Sequence, residues 1–276
     1  MKPHWTLDEI EWDLFDASRV DADTLKAIKA AAMVEFNATD YVTYLRQVFG
    51  SDSEMMAALE QWGREEVQHG RALARWAMLA DPEFDFEDCF ARFRAGYRLP
   101  LEAPGSVRGS RAGEMIARCV VESGTSSYYS ALRDATSEPV LKQIAALIAS
   151  DEYRHYRLFF EAIGRYQRSE KRPVLDRIRV ALGRVHETED DELAYAYYCA
   201  NVRTDEIAFT PYERAQFSRE YNQRILRFYQ PRHVQKGVAM IANAVGLPPQ
   251  GALARCAGNV LWWILQARGR MASWAN

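Results

Sequence analysis

Apolar residues recur at helical spacing along most of the chain, and the breaks in that pattern divide it into helices. The first long run, TLKAIKAAAMVEFNATDYVTYLRQVFG, opens behind Asp21 or Asp23, either of which can cap it, and ends at Gly50. SDSEMM opens the second, with Ser51 and Glu54 at capping-box spacing. That helix continues through Trp62 to Ala80, where Asp81-Pro82 breaks it. A short amphipathic piece over 83–98 carries Phe84, Phe86, Phe90, Phe93 and Tyr97, and LPLEAPGSVRGS then reads as a loop. A third helix is predicted from about Arg111 to Ala135 and a fourth from Pro139 to about Arg168. Further helical patterns fall near 190–202, 212–246 with a break at Pro231, and 249–274, the last carrying Trp262, Trp263 and Trp274.

This is an all-α reading. Residues 1–20 form an N-terminal arm that lays Trp5, Trp12 and Phe15 onto the rest, residues 21–168 a four-helix bundle, and residues 169–276 a helical C-terminal extension packed on it. The connection between the second and third bundle helices must cross from one end to the other, and the segment after Ala80 is long enough to do so.

Charged residues interrupt the apolar stripes at a few places, and those places carry the chemistry. Ile148, Glu152, His155 and Phe159 form one stripe at steps of four, three and four. Residues three apart share a helix face, so the Glu152 carboxylate and the His155 imidazole can converge on one point. EEVQHG repeats the spacing with Glu66 and His69, while Glu35 and Glu122 stand alone on the other two helices. A carboxylate within an apolar stripe is costly unless it is paired or bound to a metal. One glutamate from each of two helices, with a Glu-x-x-His pair from each of the others, is the ligand set of a carboxylate-bridged di-iron or di-manganese bundle. The competing reading makes Glu66, His69, Glu152 and His155 solvated helix faces with local side-chain pairs.

Composition changes this picture little. The chain has 276 residues, 48% of them apolar and 26% charged, which is ordinary globular composition. A net charge of -3 argues against general nucleic-acid binding. Neither a membrane-length apolar run nor a basic leader stands out, so the expectation is a cytoplasmic protein without an integral membrane segment. Cys89, Cys119, Cys199 and Cys256 are scattered without Cys-x-x-Cys spacing and read as reduced thiols.

With these residues in view, the chain resembles the soluble acyl-carrier-protein desaturases, a branch of the ferritin-like di-iron enzymes. The resemblance rests on EEVQHG at 65–70, ESGT at 122–125, DEYRH at 151–155 and, more loosely, Glu35 with Thr39 and Tyr41, and it covers roughly residues 30–165. It implies a ferritin-like fold with Glu35, Glu66, His69, Glu122, Glu152 and His155 as ligands to two irons cycling between Fe2+ and Fe3+, manganese being the other candidate. Thr125 then matches a threonine on the oxygen-binding side of the metals, and Asp151 an acid just behind the ligands. The implied reaction is dioxygen-dependent insertion of a double bond into an acyl chain. A ferredoxin-like electron donor, acyl carrier protein and a homodimer are the implied partners. Two alternatives keep the metals: a hydroxylase or N-oxygenase acting on a free small molecule, and a ferritin-like metal-binding protein without an organic substrate.

Several residues keep two readings at this stage. Trp62 is either core or an electron carrier, and Tyr128, Tyr129, Tyr153 and Tyr156 either bond to ligand carboxylates or fill space. From Arg154 to Arg184, nine Lys or Arg face three acids. That stretch is either a solvated helix face or a basic surface that steers an acidic carrier, and the acidic run from Glu187 to Glu192 follows at once.

Overall fold

The structure is a computed structural model that describes residues 4–99, 101, 105–187 and 191–273. Among these, every regular element is a helix. Three short 3-10 turns between Leu7 and Arg19 precede α1 (Ala22–Phe36), α2 (Ala38–Phe49), α3 (Ser53–Ala80), α4 (Phe86–Gly96), α5 (Arg111–Ala135) and α6 (Pro139–Glu170). Then come α7 (Val174–Glu187), α8 (Asp191–Asn201), α9 (Arg214–Leu226), α10 (Pro231–Ala244) and α11 (Ala252–Ser273). Part of the expected proline loop (Pro100 and Pro104), part of the acidic run (188–190) and Trp274 lie outside the described residues.

Most boundaries follow from local chemistry. Ser110 caps α5 by accepting from the Gly113 N–H, and Pro139 occupies the first turn of α6, where its missing N–H costs nothing. Two boundaries differ from the sequence expectation, and α7 is a further helix where none was separately expected. The helix expected to run unbroken to Gly50 divides at Asn37, whose N–H is shared between the carbonyls of Met33 and Val34. Tightening toward a three-residue turn ends α1 one residue after Glu35, and a short polar side chain at that point competes with the helix for backbone partners. The cap of α3 is Asp52, bonded to the Met55 N–H, in place of Ser51.

The core shows how the long helices run. Buried apolar residues form two clusters, and the principal helices pass from one to the other at a polar layer. On the first segment, Ala27–Met33 lie in one cluster and Tyr44–Phe49 in the second, with Glu35 between. On α3 the order reverses, Met55–Trp62 then Ala72–Ala77, with Glu66 and His69 between. On α5, Ala112–Val120 precede Glu122 and Tyr128–Leu132 follow it. On α6, Val140–Ala149 precede Glu152 and Tyr156–Tyr166 follow His155. The α1–α2 segment and α6 therefore run one way, α3 and α5 the other. The chain must return from one end to the other between α3 and α5, and it does so through α4 and the loop after it. α5 packs along α6 and α1 along α3, while α8 lies on α1, and α7 and α10 on α5.

Glu138 ties three parts of this frame together. Fully buried, it accepts from the Val140 and Leu141 N–H groups at the start of α6, from Trp76 Nε1 of α3 at 2.7 Å, and from the Asp16 N–H of the arm. Glu138→Ala strands four donors, and we expect it to lower stability by about 2–4 kcal/mol. Chemical denaturation followed by circular dichroism checks this; a loss below about 0.5 kcal/mol would assign the anchoring to apolar packing alone.

Candidate metal centre

At the polar layer the six residues expected from the sequence converge. Glu35, Glu66, His69 and Glu152 bring one ligand atom each within 4.8 Å of one another, and so do Glu66, Glu122, Glu152 and His155. The two quartets share Glu66 and Glu152, so the carboxylates of the two Glu-x-x-His helices lie between the halves. Glu35 with His69, and Glu122 with His155, lie at the two ends. All six are buried, at 8% exposure or less.

Their bonding sorts each atom by role. Each imidazole turns Nδ1 to the centre and Nε2 to an acid behind it. His69 Nε2 meets Asp151 Oδ2 at 3.0 Å, and His155 Nε2 meets Glu65 Oε2 at 2.8 Å. The inward atoms lack hydrogen-bond partners: Nδ1 of both histidines, both oxygens of Glu122 and Oε1 of Glu152. His69 Nδ1 is 3.2 Å from Glu152 Oε1, and His155 Nδ1 is 3.1 Å from Glu66 Oε1. Buried polar atoms without partners are costly, and a cation held among them removes that cost. Carboxylate oxygens with imidazole nitrogens suit a divalent transition metal. These buried groups can hold a metal ion.

Without a metal, the group balances its charge with protons. Burial, then the neighbouring Glu66, raises the Glu35 carboxyl to about 8. Burial, then Glu152, pushes Glu122 well up, and burial with Glu66 raises Glu152. Burial acts the same way on Glu66, but the imidazoles of His155 and His69 beside it outweigh burial and hold that carboxyl well below the usual range. Burial disfavours both imidazolium ions, yet the surrounding carboxylates prevail, Asp151 foremost at His69 and Glu122 at His155.

Other expected residues fall into place around this core. Asp151 holds His69, accepts from Trp5 Nε1 at 2.8 Å, and is paired with Arg154. Thr125 Oγ1 donates to Glu152 Oε2 at 2.5 Å and also lies 3.3 Å from the Val121 and Glu122 carbonyls. Tyr129 donates to Glu35 Oε1 at 2.5 Å, whereas Tyr156 bonds to the Met240 carbonyl and Tyr153 is largely exposed. Trp62 packs edge-on to Phe159 in the second apolar cluster, its Nε1 unpartnered. From the arm, Trp5 stacks parallel to His69 at 6.0 Å between ring centres.

Glu65 received no role from the sequence, although a signal was present. The motif is an acid followed by Glu-x-x-His in both copies, and each leading acid serves the histidine of the opposite helix. The basic stretch divides, with Arg154, Arg165, Arg172, Arg177 and Arg184 half-buried and Arg157, Arg168, Lys171 and Arg179 exposed. Arg154 pairs with Asp151, Arg165 with Asp52 and Glu54, and Arg172 bonds to the Arg108 carbonyl and Ser110, while Arg157 and Arg179 face Glu161 and Asp176.

No protein-family model matches the chain, and no curated protein matches it either.

His69→Ala and His155→Ala are each expected to lose most bound metal while leaving helical content largely intact. Metal analysis beside far-ultraviolet circular dichroism checks this, and unchanged stoichiometry in either variant would remove that histidine from the centre. Metal binding should also release protons at pH 7, since it displaces those held by His69, His155 and the raised carboxyls Glu35 and Glu122. Affinity then weakens as pH falls. Titration calorimetry in buffers of differing ionisation enthalpy measures the release, and a buffer-independent heat would contradict it.

Proposed function

We propose that the chain is a ferritin-like four-helix protein whose buried layer holds two irons, and that it is a dioxygen-dependent oxidoreductase acting on an unactivated carbon. The leading reaction is formation of a cis double bond in an acyl chain. One observation carries this reading: two ligand quartets that share Glu66 and Glu152. A pair of divalent ions brings four positive charges against four carboxylates, so the layer is neutral without protons. The opposed helix directions, with a long return between α3 and α5, support the ferritin-like assignment. Manganese fits the same donors.

When bound, a reduced pair of this kind supplies dioxygen activation. The residues do the rest. Glu66 and Glu152, shared by the two quartets, would each offer a carboxylate to both ions. Asp151 and Glu65 fix the ring orientation of His69 and His155 and keep Nδ1 directed inward. Thr125 places a hydroxyl proton on Glu152 at the edge of the centre. Tyr129 does the same for Glu35. Electrons come from a ferredoxin-like or flavin partner, because the sequence has no Gly-rich nucleotide fingerprint. Trp5, Asp151 and His69 form a hydrogen-bonded line from the arm to the centre.

A specific observation favours the second reading, oxidation of a free small molecule. The basic stretch expected to meet acyl carrier protein is largely engaged with the protein's own acids and carbonyls.

The test is metal analysis of protein purified without added metal, joined to a screen of acyl thioesters and free acids under reducing conditions with product mass spectrometry. Two irons per chain and a product lighter by two hydrogens support desaturation; a product heavier by one oxygen moves the assignment to oxygenation. Dioxygen uptake with no organic product would leave a metal-binding protein. Thr125→Val should keep its metal and lower product per dioxygen on the order of tenfold or more. Identical turnover would make Thr125 a helix-bonding residue only.

A further inference from the structure

α11 is held to the body along one side. It turns back from α10 and packs along it, with a lighter contact to α9. Ala254 and Gly258 are buried in that contact, and a Cβ on Gly258 would lie 2.4 Å from Gln235 Oε1 of α10, so the glycine lets the two helices close. The contact fixes where the opposite rows point. Leu253, Val260, Trp263 and Ile264 are 73%, 53%, 68% and 45% exposed, and Cys256 and Ala267 are exposed beside them. Leu253, Cys256, Val260, Trp263 and Ala267 follow one another at alternating steps of three and four, the spacing of a seam that packs against another helix. The seam itself carries no charge. Between Ala252 and Ala267 the one charged residue is Arg255, which bonds to the Gln250 carbonyl.

We propose that this face pairs with the same face of a second copy of the chain, the two α11 helices lying antiparallel about a two-fold axis at the level of Gly258. In that register Leu253 meets Trp263 and Cys256 meets Val260, each pair twice. Every layer is then apolar, with the large pairs at the ends and the smaller ones in the middle. Parallel pairing would set Trp263 against Trp263 in one layer and bring together the helix ends that carry Arg268 and Arg270.

Area and charge favour a second copy over lipid as the cover for this face. At the exposures above, the four large side chains present on the order of 500 Å² per copy, so a pair of faces removes roughly 1,000 Å² from water, the size at which a specific interface becomes stable. A helix that lies on a membrane surface carries Lys and Arg along its polar edge, and α11 has a single arginine over the length of the seam. An isologous interface needs a patch complementary to itself, and the antiparallel register supplies one. The pairing does not rest on the metal reading. It meets the centre only through packing, since α11 lies on α10 and α10 on α5.

Sedimentation velocity of the full chain tests this, at concentrations up to about 100 μM. The parent should be a dimer. Trp263→Glu and Leu253→Glu, both at exposed positions, should each weaken association about tenfold or more while helical content and bound metal stay unchanged. The parent's melting temperature should rise with concentration, and those of the variants should not. Oxidation with copper phenanthroline should link Val260→Cys to Cys256 of the partner subunit as a covalent dimer and leave the parent chain unlinked. A monomeric parent, a dimer that persists in both glutamate variants, or a parent that links through Cys256 alone would overturn the proposal. So would a monomer that pellets with phosphatidylcholine vesicles, which would assign the face to lipid. Failure of the metal centre shows differently, as absent metal with the dimer intact.

Discussion

Four carboxylates and two imidazoles buried in one layer are the constraint around which the other elements are placed. Each buried ion carries a desolvation cost of several kcal/mol unless countercharge is held close by. The chain meets this cost with geometry. Every principal helix crosses the layer once, from one apolar cluster to the other, and contributes its polar residues only at the crossing. Apolar packing above and below fixes the helices, so the polar atoms cannot relax toward water. The layer is then neutral in two ways only, by protons or by metal. A fold with a single continuous core would have no place for such a choice.

The two halves of the frame answer each other. α1 with α3 carries a lone glutamate and an acid-Glu-x-x-His motif, and α5 with α6 carries the same. The leading acid of each motif does not serve its own histidine. Asp151 on α6 holds His69 on α3, and Glu65 on α3 holds His155 on α6. Arg154 joins the exchange, paired with Asp151 and 3.7 Å from Glu65. Removing either acid therefore loosens a ring on the opposite helix, and the pairing of α3 with α6 depends on bonds that also set the ligand geometry.

The sequence made the helices and the six convergent residues legible because both rest on local spacing. An apolar period of 3.6 and a Glu-x-x-His step are properties of one helix, visible without its neighbours. The misreadings are all relational. Asn37 breaks a helix whose composition favours continuation, and the break lies where the segment leaves the first apolar cluster for the second. Glu65 gains its role only when α3 meets α6. The basic stretch of 154–184 counts as a surface charge until packing half-buries Arg154 beside Asp151 and Arg172 beside Ser110. Charge along a sequence says nothing about which way a long side chain points.

The C-terminal helices take a defined part in this arrangement. α8 covers α1 and delivers Glu192 to Tyr41, and α7 lies on α5 and delivers Arg184 to the same place. α10 packs on α5, its His233 and Met240 carbonyls accepting from Ser127 and Tyr156 on either side of Glu122 and Glu152. None of these residues joins the ligand quartets. The first part of the chain thus supplies every residue of the two quartets, and the second part packs against the helices that carry them. The quartet residues are legible from local spacing because single helices carry them, whereas the contacts by which α7, α8 and α10 hold α1 and α5 carry no motif and are assembled only by packing.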